Sequence, residues 1–256
     1  MSHATLQRRG QILTELRDRK HVTVRGLADR MAVSEATVRR DLKTLADQHD
    51  VLLVHGGATL PQHRDYSFRA KADRNPEAKR TIGQLAAELV PDGDQVFVDS
   101  GTTCFQLVAA LQGRDNVSVL TTSLRIATEL TVPGLNMILL GGQYRAVRRD
   151  TVGPVAIHAI EHLRGYVAFI GTDGMSTDFG PAASDIDSAH LYQLIVENAR
   201  ETVLLADQSK FSAPSLFRIA RWEQVSKVVT ESEPDQVWKQ FFEAQDIGLI
   251  YPSGEK

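Results

Sequence analysis

Apolar residues recur at helical spacing from the start of the chain to about residue 47 and then become contiguous, which predicts three helices followed by a hairpin. Leu6, Ile12, Leu13 and Leu16 can share one face of a first helix. In a second, Val24, Leu27, Ala28 and Met31 stand at i, i+3, i+4 and i+7, with Thr23 as its N-cap. Ala32-Val33-Ser34 reads as a short turn, and Ser34 as the N-cap of a third helix that turns Val38, Leu42 and Leu45 inward. Thr37 stands where a capping box has Glu or Gln, so that box is incomplete. Val51-Leu52-Leu53-Val54 and Gly56-Gly57 read as a strand and tight turn, a wing beside the helices.

The pattern changes past residue 59. Residues 60–76 are polar and without period, the expected linker between a domain at 1–59 and a second at 77–256. Beyond it a helical pattern at 77–90 leads into short apolar strands at 95–99, 117–120, 137–140, 166–170, 202–206, 227–230 and 247–250. Strands apolar throughout and separated by helix-length segments predict an α/β domain whose largely parallel sheet is covered on both faces. The expected fold class is thus a mainly α winged helix-turn-helix followed by an α/β domain.

Charge sharpens this division. The chain carries 29 Lys and Arg against 32 Asp and Glu, a formal net charge of −3, which argues against a general polyanion binder. Residues 1–59 nevertheless hold ten basic and seven acidic side chains, an excess of +3, leaving −6 for the rest. This asymmetry points to the small N-terminal part as the one that meets nucleic acid, although an excess of +3 is modest and equally suits a solvated surface. A single cysteine, Cys104, excludes an internal disulfide framework and a cysteine metal cluster. No apolar stretch approaches the ~18–20 residues a bilayer span requires, and the first residues lack the apolar core of a signal peptide. The expected location is the cytoplasm, with no membrane partner.

In a helix-turn-helix the second helix of the pair enters the major groove and its N-terminal residues reach base edges. Here that is the third helix. With Val38, Leu42 and Leu45 inward, Ser34 and Glu35 at its start and Thr37, Arg39, Arg40 and Lys43 along it are the candidate contacts to double-stranded DNA. Arginine can make two parallel hydrogen bonds to guanine, which puts Arg39 and Arg40 first. His55, next to Gly56-Gly57, is the wing candidate for phosphate or minor-groove contact. The same pattern also suits a plain amphipathic helical subdomain.

The strand ending at Asp99 runs straight into Ser100-Gly101-Thr102-Thr103 and a helix at 104–111. A glycine with hydroxyl residues at a helix N-terminus can cradle phosphate, because free backbone N–H groups and the positive end of the helix dipole point at the anion. It can equally be an ordinary capped helix start.

Sequence resemblance weighs on both choices. LADRMAVSEATVRRDLKTL, with HGGA at 55–58, resembles the N-terminal domain of the DeoR family of bacterial regulators. Departures are His49-Asp50, where a glycine is usual before the wing, and Leu53, where a basic residue is common. The resemblance continues through Asp99 to Thr103, Thr121-Thr122-Ser123-Leu124, Leu140-Gly141-Gly142, Phe169 to Gly174 and Leu205 to Phe211, nearly the whole chain. It implies a second domain similar in fold to ribose-5-phosphate isomerase that senses a phosphorylated sugar at the carboxyl ends of its strands. Asp99, Ser100, Gly101, Thr102 and Thr103 would form the phosphate loop, with Thr121, Thr122, Asp173 and Lys210 near the effector. It further implies a repressor of a carbohydrate-use operon that the sugar releases, and the habit of helix-turn-helix proteins to bind paired half-sites implies a homo-oligomer, dimer or tetramer. Thr122 replaces the family's usual asparagine, and Asp185-Ile186-Asp187 stands where a Glu-containing stretch is common; either could change which sugar is recognised.

The alternative is a sugar-phosphate isomerase-like enzyme, since fold does not settle activity. The N-terminal domain discriminates, because an isomerase has no use for a winged helix-turn-helix. A nucleotide-binding protein using the Gly141-Gly142 turn lacks a Walker or G-x-G-x-x-G string. His158, Glu161 and His162 match a short zinc-peptidase pattern without a third-ligand motif, and surface or interface histidines are the plainer reading. Cys104 is either a thiol activated by the helix N-terminus or a packing residue, and Arg145, Arg148 and Arg149 either attract an anion or lie in a solvated loop. No cofactor, metal or catalytic residue is expected.

Overall fold

A computed structural model describes residues 3–19, 21–47, 51–54, 56–59, 68–211 and 215–252 of the chain. These divide into two compact units, Met1–Lys71 and Ala72–Lys256.

The first unit contains α1 (His3–Arg19), β1 (His21–Thr23), α2 (Val24–Met31), α3 (Glu35–Asp47), β2 (Leu52–Val54) and β3 (Gly57–Thr59). Ile12, Leu16, Leu27, Val38, Leu42 and Leu45 are buried together, with Leu13 and Met31 packed against them; the Leu6 side chain lies outside the described residues. Both expected N-caps are present. Thr23 Oγ1 accepts from the Gly26 N–H at 3.1 Å and Ser34 Oγ from the Thr37 N–H at 3.2 Å. Ala32 ends α2 in the left-handed region at φ 52°. The wing is joined by a strand that periodicity does not reveal: β1 pairs with β3, giving the antiparallel order β1-β3-β2. Three residues are too few to show an alternation.

Within the expected linker, residues 60–67 lie outside the described set, and α4 (Phe68–Ala72) is helical. The second unit continues with α5 (Pro76–Glu88), β4 (Gln95–Val98), α6 (Thr102–Ala110), β5 (Val117–Thr121), α7 (Leu124–Glu129) and β6 (Leu135–Leu139). Next come β7 (Gln143–Arg145), β8 (Asp150–Val152), α8 (Pro154–Glu161), β9 (Val167–Gly171), β10 (Gly174–Ser176), β11 (Gly180–Ala183) and α9 (Ile186–Asn198). It ends with β12 (Glu201–Leu205), β13 (Phe217–Arg218), β14 (Lys227–Val229), α10 (Gln236–Ala244) and β15 (Gly248–Ile250).

All seven strands expected from the apolar runs form one sheet in the order β15-β14-β12-β9-β4-β5-β6, and each neighbouring pair is parallel. Alternate side chains of each strand enter different cores, as the period of two requires. Val96, Val98, Phe169 and Val203 pack with residues of α5, α6 and α7, whereas Phe97, Ala168, Ile170 and Leu204 pack with α8, α9 and α10. At Gly83 a Cβ would come within 2.6 Å of the Gln106 carbonyl carbon, so glycine permits the close approach of α5 to α6. The short antiparallel pieces, β7-β8 and β10-β11-β13, are additions outside the main sheet.

Sheet order reverses between β4 and β9, because the chain builds outward from β4 through β5 and β6, then returns to the other side of β4. Such a switch point opens a crevice at the carboxyl ends of the strands, where open parallel sheets bind ligands.

Candidate DNA interface and effector site

On α3, Ser34, Arg39, Arg40 and Lys43 are exposed, and Glu35 and Thr37 half-buried. Their exposure follows from burial of Val38, Leu42 and Leu45 on the opposite stripe. Arg39 Nη2 donates to Glu35 Oε2 at 2.7 Å, an i,i+4 pair that holds the guanidinium along the helix surface. Ser34 Oγ and Thr37 Oγ1 lie 2.9 Å apart, a contact between hydroxyls and not the bond to the N-cap N–H that completes a capping box. His55 lies outside the described residues.

Asp41 is a role that local pattern did not disclose. Only 2% exposed, it accepts from Arg8 Nε at 2.6 Å and Arg9 Nε at 2.9 Å, fastening α1 to α3. Arg8 and Arg9 thus share one carboxylate inside the unit.

In the second unit, Asp99 and Ser100 follow β4, Asp173 follows β9, and Lys210 lies beyond β12, at the carboxyl ends of three adjacent strands. Asp99 is buried. Its Oδ2 accepts from the Gly171 N–H at 2.9 Å, its Oδ1 from the Gly101 N–H at 3.2 Å, and Tyr192 OH also donates to Oδ1. Burial pushes the Asp99 carboxyl above its ordinary value against these hydrogen bonds, and burial beside that carboxyl pushes the Tyr192 phenol well up, so Tyr192 keeps its proton. At Gly171 a Cβ would lie 3.0 Å from Asp99 Oδ2, which explains a glycine at that strand end.

Gly101 caps α6 without a side-chain hydrogen bond, so the first turn through Thr102 and Thr103 presents backbone donors. Cys104 is a packing residue: its thiol, pushed well up by burial and by Asp99, lies 3.7 Å from the Phe169 carbonyl oxygen. Of the two readings of Cys104, its complete burial supports the packing residue and not the activated thiol.

Thr121 and Thr122, expected near the effector, are buried at the end of β5. Thr121 Oγ1 donates to the Val98 carbonyl at 2.7 Å and accepts from the Ser123 N–H at 3.0 Å, and both threonines are 1% exposed or less. Thr121 braces β5 against β4, and the Thr122 carbonyl accepts from the Thr151 N–H at 3.0 Å. Asp173 accepts at Oδ2 from Ser184 N–H at 2.9 Å and Ser184 Oγ at 2.6 Å, and Lys210 is half-buried.

Around this edge stand two further constellations that no local motif announces. Arg145 makes a two-pronged pair with Asp150, Nε to Oδ1 at 2.8 Å and Nη2 to Oδ2 at 2.7 Å, and reaches Asp185 Oδ1 at 2.8 Å and Ser188 Oγ at 2.9 Å. Arg148 pairs with the same two aspartates. Arg149 instead pairs with Glu129 at 2.8 Å on the surface. The solvated-loop reading of these arginines fails for the first two, whose carboxylates compensate their burial. Burial lowers the Arg145 pKa, but Asp150 and Asp185 more than offset it. Asp185 also N-caps α9, accepting from the Ser188 N–H at 2.9 Å, while Asp187 lies on the exposed side.

The second constellation joins Lys79 of α5 to Asp207 after β12, Nζ to Oδ2 at 3.5 Å, with Asn75 Nδ2 donating to Asp207 Oδ1 at 3.3 Å. Lys79 also donates to the Arg74 carbonyl. Sequence spacing gives no hint of a pair so far apart in the chain.

His158 and His162 stack edge to face at 4.8 Å, and His158 Nδ1 lies 3.3 Å from Glu161 on an exposed turn. Among the described residues no three ligand-type side chains are grouped to hold a metal, and no helix is long and apolar enough to cross a membrane.

A winged helix-turn-helix together with a Rossmann-ordered sheet that carries polar residues at its switch point defines a ligand-responsive DNA-binding regulator. The chain belongs to the DeoR family of transcriptional regulators. Residues 8–64 match the DeoR-like helix-turn-helix domain and residues 74–232 the DeoR C-terminal sensor domain. It is 29% identical over 246 residues to the HTH-type transcriptional regulator GlpR of Haloferax volcanii, covering 95% of this chain and 96% of that one. It is 29% identical to the glycerol-3-phosphate regulon repressor of Escherichia coli over 89% of this chain and 91% of the relative. The HTH-type transcriptional repressor GlcR of Bacillus subtilis is 28% identical over 93% of both. Among solved structures, ribose 5-phosphate isomerase A of Methanocaldococcus jannaschii covers 54% of this chain and 55% of its own at 20% identity and a TM-score of 0.39, too loose a likeness to bear on activity. The protein is a regulator and not an enzyme, as its family and these relatives are.

Proposed function

We propose that the protein represses a carbohydrate-use operon and that a phosphorylated sugar releases it from the operator. The observation that carries this reading is the switch point of the sheet, where the start of α6, without a side-chain cap, lies at the same carboxyl sheet edge as Asp173 and Lys210. Backbone N–H groups and a lysine suit a phosphate, and a carboxylate accepts from sugar hydroxyls. The E. coli relative, named as repressor of a glycerol-3-phosphate regulon, supports the effector class. Asp99 and Ser100 shape the loop, Gly101, Thr102 and Thr103 hold the phosphate, Thr121 braces the neighbouring strand, and Thr122 holds the β8 residue Thr151 beside it.

In the operator complex Arg39, Arg40 and Lys43 meet DNA, with Ser34, Glu35 and Thr37 at the helix start and His55 on the wing. Two half-sites require paired recognition helices, so the working form is a dimer or tetramer in the cytoplasm. Release requires the sugar to bind one arrangement of the subunits better than the other.

Binding of the protein to DNA upstream of its own gene, at two salt concentrations and with a panel of sugar phosphates, tests this. The expected result is tight, salt-sensitive binding weakened by one phosphosugar. Specific binding that no phosphosugar changes would remove the effector, and binding only in its presence would reverse the sign.

A further inference from the structure

The hairpin β7-β8 lies beside the proposed phosphate loop, and its position is set by backbone pairing. Leu124 N–H donates to the Arg149 carbonyl at 2.8 Å, and Thr151 N–H to the Thr122 carbonyl at 3.0 Å, tying it to the chain that leaves β5. Its Asp150 is the hub. Oδ2 accepts from Ser100 Oγ at 3.2 Å and from Arg145 Nη2 at 2.7 Å, and lies 3.3 Å from Arg148 Nε. One carboxylate oxygen thus separates the first hydroxyl of the loop from the Arg148 guanidinium.

The two arginines are not equivalent. Arg145 forks onto Asp150 and also holds Asp185 and Ser188, four short hydrogen bonds that make it a pin. Arg148 lies 3.3 Å from Asp150 Oδ2, and its principal partner is Asp185, to whose Oδ2 its Nη1 donates at 2.5 Å. Asp185 would stay compensated if Arg148 turned away, because Arg145 and the Ser188 N–H still reach its Oδ1.

We propose that Arg148 is a further ligand of the effector's phosphoryl group, and that Asp185 is an internal competitor that occupies its guanidinium until a phosphomonoester arrives. This rests on the phosphorylated-sugar reading of the crevice above. A phosphate dianion outcompetes a carboxylate for a guanidinium because it brings more charge and presents matched oxygens to the fork. Asp185 then sets effector affinity without touching the effector, a positioning residue at the very stretch where this chain departs from the family's usual glutamate.

The test is calorimetric titration of the full chain with inorganic phosphate as probe, comparing the parent with Arg148→Gln, Arg148→Lys, Asp185→Asn and Gly101→Val, with circular dichroism on each. Loss of a charge-assisted contact is expected to weaken phosphate binding about tenfold or more in Arg148→Gln and less in Arg148→Lys. Asp185→Asn is expected to tighten it severalfold, a gain that misfolding cannot produce. Gly101→Val, whose Cβ meets Asp99 Oδ2 at 3.1 Å, tests the loop itself. If Gly101→Val abolishes binding while both Arg148 variants and Asp185→Asn match the parent, the phosphate reading stands and the arginine proposal falls. If Asp185→Asn weakens binding as Arg148→Gln does, the pair is a structural brace and the proposal also falls. No phosphate binding by the parent would overturn the proposal together with the reading beneath it.

Discussion

Asp99 and Gly171, 72 residues apart, are joined across the switch point by a 2.9 Å hydrogen bond from the Gly171 N–H to Asp99 Oδ2. That bond links the end of β4 to the end of β9, the two strands between which the crevice opens. Asp99→Asn turns one acceptor into a donor facing an N–H or the Tyr192 hydroxyl. The expected cost is about 1–3 kcal/mol, read from urea unfolding of the second unit's transition. An unchanged midpoint would mean that the crevice does not depend on this carboxylate.

Lys79 and Asp207 form a buried pair whose members are each 4% exposed or less. Lys79→Met leaves the Asp207 carboxylate short of a charge partner and should cost about 3–5 kcal/mol, whereas Lys79→Met with Asp207→Leu should recover much of it. Equal losses in single and double variants would show that the lysine acts through packing alone.

Asp41→Asn is expected to loosen α1 from α3, since Arg8 and Arg9 both donate to it. Both arginines remain partly exposed and can return to water, so the effect should stay near about 1–3 kcal/mol. DNA affinity should drop alongside stability, because the recognition helix loses its anchor; an affinity drop at full stability would instead make Asp41 part of the interface.

Glu35 holds Arg39 at 2.7 Å, whereas Arg40 and Lys43 stand exposed beside it. If Lys43 grips a phosphate, Lys43→Ala weakens operator and random DNA alike and lowers the salt slope by about one. Arg39→Ala, as a base contact, should cost about 1–3 kcal/mol on operator DNA only. Glu35→Gln frees the guanidinium and removes a negative charge from the groove, so it should raise affinity for random DNA and narrow the specificity ratio. Competition binding at fixed salt separates these outcomes.

Acid should weaken the second unit through Asp185 and Asp207. Burial pushes both upward, but Arg148, Arg145 and the Ser188 N–H around Asp185, and Ser209 and Lys79 around Asp207, hold both below the ordinary carboxylate value. Their folded values lie below the unfolded ones, so their stabilisation is complete above the unfolded pKa of about 4 and is lost as pH falls through the folded values. Asp99 has the opposite sign: its raised folded value gives a contribution that is largest below the unfolded pKa and fades as pH rises through the folded one. Urea midpoints measured from pH 7 to pH 3 should fall, and Asp185→Asn should flatten that fall.

The small helical unit was legible because its signals are local. Val24, Leu27 and Ala28 face inward at the spacing that a 3.6-residue turn demands, and Thr23 and Ser34 cap the helices they precede. The seven apolar runs announced the main sheet for the same reason, since strands buried on both faces carry few polar residues. Strand β1 and the two small antiparallel sheets escaped because segments of two to four residues have no period to read.

By itself, the sequence determined the two kinds of architecture, the outward face of α3 and the loop from Asp99 to Thr103, all encoded by residues close together in the chain. Tertiary structure alone decided what those polar residues face. It turned Thr121 inward, gave Asp99 to Gly171 and Tyr192, and set Asp185 against Arg145 and Arg148 and Asp207 against Lys79. A charge buried at a sheet edge must find its counter-charge wherever the fold brings one within reach, and periodicity carries no record of which distant residue that will be.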